Sequence, residues 1–173
     1  MREAVTFDRL TGADLLAIDR QPSQRMAMGV TGAFTPEEAA VLASQPESWA
    51  VRRDGALIAC LGIMETFPGA QGVAWAILAS GIGASHLAIS RFAKARIAGA
   101  GLARVEAVTR GPDADAIVAA MPGIDPGMLL AAIMATPTPE CRWAALLGLA
   151  PAHVLRKFGG AGETHVLFER IAA

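Results

Sequence analysis

The chain has 173 residues, 53% hydrophobic and 18% charged, which suits one globular domain and excludes a disordered or fibrous chain. Its net charge of -1, from 15 basic and 16 acidic residues, lacks the basic surplus that displaces phosphate counterions, so nucleic acid is not an expected partner. Cys60 and Cys141 form no CxxC pair and there are three His, so buried reduced thiols, a cytoplasmic location and no metal are expected.

The opening MREAVTFDRL has no apolar h-region, and the longest apolar run is Met128 to Ala135. A bilayer span needs about 20 such residues, so neither a secretory leader nor a membrane partner is expected. Arg outnumbers Lys 13 to 2 and Tyr is absent, a skew that reads as coding bias.

In chain order, Ala4 to Leu10 reads as a strand, with Val5, Phe7 and Arg9 on one face. Thr11 and Asp14 form a capping box that opens a short helix through Leu15, Leu16 and Ile18. Gln21 to Gly32 is polar and reads as loop or irregular helix. Thr35-Pro36-Glu37-Glu38 starts a helix that runs to Ser44, with Thr35 as cap and Pro36 at the first helical position. Ser48 to Arg53 and Ala56 to Thr66 are strands joined by Asp54-Gly55, a dipeptide suited to a primed hairpin turn. After the turn FPGAQ at 67–71, Gly72 to Ala79 is a third antiparallel strand.

Ser80-Gly81-Ile82-Gly83 then bends into a helix over 84–98, with Ile89, Phe92, Ala93 and Ile97 on one face. Arg104 to Thr109 is a strand that follows a helix and is expected to lie parallel to the preceding strand. Gly111 to Pro139 differs in character and holds five Pro with Met121, Met128 and Met134. Asp125-Pro126 starts an apolar helix over 127–135. Thr138-Pro139-Glu140 starts another, ended by Gly148. A hairpin closes the chain, His153 to Phe158 and Glu163 to Arg170.

Three places carry a family resemblance: RRDGALIACLGI at 52–63, the strand 72–79 entering a Gly-rich turn and a helix, and RWAALLGLAPAHVLRKFGGAGETHVLFER at 142–170 with its Leu147-Gly148-Leu149. In this order they resemble the GNAT family of N-acetyltransferases over nearly the whole chain. More narrowly, Trp49, Asp54-Gly55, Gly62, Trp75, Arg142-Trp143 and Gly162-Glu163 look like GNAT-like proteins encoded by phages and prophages, some of them associated with virion assembly. The resemblance implies an α/β fold with a mixed, mostly antiparallel sheet flanked by helices. It implies one domain over 1–173, extended by the Pro/Met-rich segment 111–139.

The family cradles the coenzyme A pyrophosphate on a loop of pattern Gln/Arg-x-x-Gly-x-Gly/Ala. The matching window is Leu78-Ala79-Ser80-Gly81-Ile82-Gly83, then Ala84. The resemblance thus implies acetyl-CoA held by Leu78, Ala79, Gly81, Ile82, Gly83 and Ala84, with backbone N–H groups and the helix dipole facing the anion. Leu78 stands where the family has a polar residue, so that side-chain contact is missing. Gly81 and Gly83 have a second reading, as the residues that let a strand turn into a helix.

The family's leaving-group acid, a Tyr on the helix before the last hairpin, is absent. Cys141 is a substitute donor or a buried small hydrophobe. Glu65 and Glu106 are candidate bases, or else a strand-end carboxylate and one on a solvated face. The catalytic residues therefore stay unassigned. His86 touches phosphate or faces solvent.

Two functions follow. One is acetyl-CoA-dependent transfer of an acyl group to an unidentified amine, where catalysis rests on positioning. The other is a catalytically degenerate GNAT-shaped accessory protein of a phage or prophage, virion-associated instead of cytoplasmic. The apolar segment 127–135 is either a surface for homo-oligomer or virion assembly or a helix that covers the sheet.

Overall fold

The computed structural model describes residues 4–21, 24 and 34–172. Most of the loop expected over 21–32 lies outside the described residues; Gln21 and Gln24 lie within them. The elements are β1 (Val5–Arg9), α1 (Gly12–Ala17), α2 (Pro36–Ser44), β2 (Glu47–Arg53), β3 (Ala56–Phe67), β4 (Gln71–Leu78) and α3 (Ser85–Gly99). There follow β5 (Arg104–Arg110), α4 (Ala114–Ala120), α5 (Pro126–Ala135), α6 (Pro139–Leu146), β6 (Ala150–Phe158) and β7 (Glu163–Ile171). One sheet holds the seven strands of the described residues in the order β1-β2-β3-β4-β5-β7-β6. Every pairing is antiparallel except β4–β5, so the α/β class and the mixed, mostly antiparallel sheet are as expected.

Local chemistry sets the element ends. Thr11 with Asp14 and Thr35 with Glu38 each form a two-way capping box, satisfying amides that a helix start leaves open. Asp54 and Gly55 both adopt positive φ, 49° and 85°, the primed turn that matches the twist of β2 and β3. The segment 111–139 holds a helix the sequence reading missed, α4. Asp113 caps it by accepting from the Asp115 amide; in the sequence this signal is masked by the surrounding Pro and Gly.

The sheet buries two apolar layers. On one face, Ile89, Ala93 and Ile97 of α3 pack on Leu61, Ile63 and Val105, and the cluster continues to Phe168. Leu129 and Ile133 of α5 join this same layer, while Met128 on the outer side of the helix is 63% exposed. On the other face, Leu15 and Ile18 meet Ala39, Cys60 and Ile77. Burial beside Asp14 pushes the Cys60 thiol up to about 12, so it stays protonated and inert.

Asp14 is itself buried and pairs with Arg52. Burial raises its carboxyl, but hydrogen bonds from Thr11 and the Arg52 charge outweigh that and hold it below the usual carboxylate range. A depressed folded-state value means the stabilisation is complete above the unfolded-state value of about 4 and is lost as pH falls through the folded one. Acid titration of the melting temperature should show loss setting in below about pH 4, and Asp14→Asn should flatten that decline. An equal slope in the variant would assign the acid sensitivity to other carboxylates.

Candidate active site

Among the described residues, the only parallel pairing in the sheet is short. β4 and β5 pair from Gln71↔Arg104 to Val73↔Glu106 and then diverge, while β5 stays on β7 as far as Arg110↔His165. A cavity of about 630 Å³ opens at the divergence, with Trp75, Leu78, Ile82, His86, Thr109 and His165 among its walls. Strand alternation decides what β4 offers it. The Ala79 amide bonds Ile58 of β3, so the main-chain groups of Ala76 and Leu78 point the other way, to the edge that β5 has left.

Beyond β4 the chain turns through Gly81 (φ 76°) and Gly83 (φ 49°), left-handed conformations that explain glycine at both positions. The amides of Ser85, His86 and Leu87 fold back on the carbonyls of Ile82, Gly83 and Ala84. The amides of Gly81 to Ala84 have no partner among the described residues. A Cβ at Gly81 would meet nothing within 4 Å, so the loop is open on that side. α3 has no side-chain cap and no acidic residue in its first turn, and its N-terminus is electropositive. The turn can therefore take an anion.

The window named from the sequence divides in the structure. Leu78 and Ala79 are buried, and Leu78 lines the cavity. The Leu78 N–H donates to Gln24 and its carbonyl accepts from the Gln21 amide. The Ala79 carbonyl accepts from the Gln21 side chain. Ile82 is buried against the cavity, and its carbonyl accepts from Arg53.

His86 lines the cavity and is held by a network absent from the sequence reading. The Ser90 hydroxyl donates to the His86 carbonyl at 2.8 Å and accepts from Trp143 Nε1 at 2.8 Å. Its one proton is thereby spent, so at the 3.3 Å contact with His86 Nδ1 the ring is the donor. In the neutral imidazole that arrangement leaves the lone pair on Nε2. The Trp143 contact comes from α6, so α3 and α6 together set this tautomer.

The carboxylates named from sequence do not reach the cavity. Glu65 sits at the far end of β3 and accepts from the Gly69 amide at 2.8 Å. Glu106 lies on the paired part of β5, 2.7 Å from Arg104. Cys141 is buried, with its sulfur against Thr109 and the Arg110 carbonyl, a small core residue, not a donor in the cavity. Glu47 and Glu140 line the cavity instead. Arg96 hydrogen-bonds Glu47 and holds its carboxyl below the usual range, so Glu47 is committed to that pair. The Glu140 carboxylate, in the first turn of α6, has no hydrogen bond to another described residue; in the sequence Glu140 read only as a helix-start signal.

No family model matches the chain, and no curated protein matches it either. Solved structures do. A putative phosphinothricin N-acetyltransferase superposes with TM-score 0.67 at 12% identity, covering 98% of this chain and 99% of its own. An aminoglycoside 6'-N-acetyltransferase complexed with coenzyme A gives 0.63 at 12%, covering 96% of each chain. Ard1 from Thermoplasma volcanium gives 0.61 at 11%, covering 98% and 99%. Full-length superposition at such identity fixes the architecture, and the fold of this chain is that of the GNAT acetyltransferases.

Proposed function

We propose that this protein transfers an acyl group, acetyl in the simplest case, from acyl-CoA to an amine. The observation that carries the reading is the juxtaposition at the β4–β5 divergence. The strand edge that β5 leaves runs along the cavity and leads to the amides of Gly81 to Ala84 at the start of α3, for which no described residue is a partner. The amides and the helix dipole suit a pyrophosphate, and the strand edge suits the amide-bearing arm of coenzyme A. When bound, acyl-CoA supplies the acyl group as an activated thioester.

The chain's own residues then do three things. Ile82, Leu78, Trp75 and their neighbours exclude water, which favours the neutral, nucleophilic form of an amine. β4 and the glycine turn orient the ligand beside the acceptor. His86 Nε2 and the Glu140 carboxylate are cavity groups able to take up the proton the amine must lose.

Acetyl-CoA at 100 times its dissociation constant should stabilise the protein by about 2.7 kcal/mol, read as a rise in melting temperature. Gly83→Val should abolish the rise, because a β-branched residue resists a φ of 49° and its methyls cover the amides. No shift in the parent at millimolar acetyl-CoA would favour the other reading, a GNAT-shaped accessory protein without chemistry.

A further inference from the structure

The strand edge assigned above to the amide-bearing arm is already engaged by the chain itself. The Leu78 N–H donates to Gln24 Oε1 at 2.7 Å, and Gln24 Nε2 donates to the Ala76 carbonyl at 3.2 Å. One primary amide thus closes both ends of the same β4 segment, in the way a peptide group of a neighbouring strand would. The backbone beside it is fastened too: the Gln21 amide donates to the Leu78 carbonyl and the Gln21 side chain to the Ala79 carbonyl, both at 3.0 Å. Gln21 and Gln24 both line the cavity.

We propose that Gln24 is an amide latch, a self-inhibitory plug that the amide groups of an acyl-CoA arm must displace before they can pair with β4. The inference rests on the proposed function. The physical reason for such a latch is that β5 leaves half-buried Ala76 and buried Leu78 without a strand partner, and unpaired buried main-chain groups are costly. Gln24 satisfies them in the ligand-free protein. The ligand satisfies them in the bound one, so the exchange conserves hydrogen bonds. Its cost appears as a reduced fraction of binding-competent protein, which weakens apparent affinity by that fraction.

The test is calorimetric titration of the full chain with acetyl-CoA, and with ADP, which carries the pyrophosphate and lacks the amide arm. Gln24→Ala removes both latch bonds. Gln24→Met removes them while keeping length and apolar packing, and serves if the Ala variant does not fold. Two bonds of ordinary net strength imply acetyl-CoA binding tighter by roughly five- to 150-fold in either variant, with ADP binding unchanged. Binding in the variants alone would also support the latch.

Unchanged acetyl-CoA affinity would overturn the latch and leave the proposed function standing. Weaker binding would overturn it as well, by making Gln24 a ligand contact, and so would an equal gain for ADP. No acetyl-CoA binding to parent or variants would remove the proposed function and the latch together.

Discussion

Ile133→Asp should cost at least about 4 kcal/mol and leave the chain largely unfolded, whereas Met128→Asp, five residues earlier, should change stability by less than about 0.5 kcal/mol. Ile133 is fully buried in the main apolar layer and Met128 is 63% exposed on the same helix. Truncating a buried Ile removes roughly 2–5 kcal/mol. An uncompensated carboxylate in its place adds more, either as desolvation or as the work of protonating it. That sum rivals the whole stability of a typical domain, about 5–15 kcal/mol. Urea denaturation of the two variants would measure both. Native-like stability of Ile133→Asp would mean that α5 is not part of the folded core. The result also bears on segment 127–135, because its inward face is taken by this chain's own core. A role in assembly falls to the outward face that carries Met128.

Gly62→Ala should destabilise by about 3 kcal/mol, the largest effect expected of a single added methyl group. A Cβ at Gly62 would lie 2.3 Å from the Glu47 carbonyl, 3.0 Å from Ser48 Oγ and 3.1 Å from the Trp75 ring. The first of these is backbone of the paired strand β2 and cannot swing aside. Relief must come from shifting β2 against β3 or from displacing Trp75, which is a wall of the cavity. Urea denaturation reads the first effect, and Trp fluorescence in the folded state reads the second. A loss under 1 kcal/mol would show that the β2–β3 pair is looser than its register implies.

Much of the architecture was legible because its signals are local. A capping box, an Asp-Gly turn or a run of alternating apolar residues acts over four to eight residues, so Thr11–Asp14, Thr35–Glu38 and Asp54-Gly55 were all readable in place. The parallel β4–β5 pair was readable too, since a helix between two strands leaves little other choice. α4 was missed because its signal, Asp113 before an Ala-rich stretch, is weak beside the Pro and Gly around it. The family resemblance pointed to the right fold from motif order alone.

The candidate site was legible only in part. The Gly81–Gly83 turn showed itself because positive φ demands glycine, and that demand is written in the sequence. Which carboxylates face the cavity depends on strand register and on where β5 leaves β4. Glu65 and Glu106 looked central and are not, while Glu140 looked like a helix start and lines the cavity. The side chains of Gln21 and Gln24 reach main-chain groups of Ala76, Leu78 and Ala79 that lie 52 to 58 residues away, and the Ser90–Trp143 bond spans 53. By itself the sequence determined the helices other than α4, the hairpins and the glycine turn, each governed by the conformational preferences of adjacent residues. Tertiary structure alone decided the β4 edge that β5 leaves, the Ser90–Trp143 contact beside His86 and the pairing of Glu47 with Arg96, because those follow from contacts between segments that chain-local forces do not bring together.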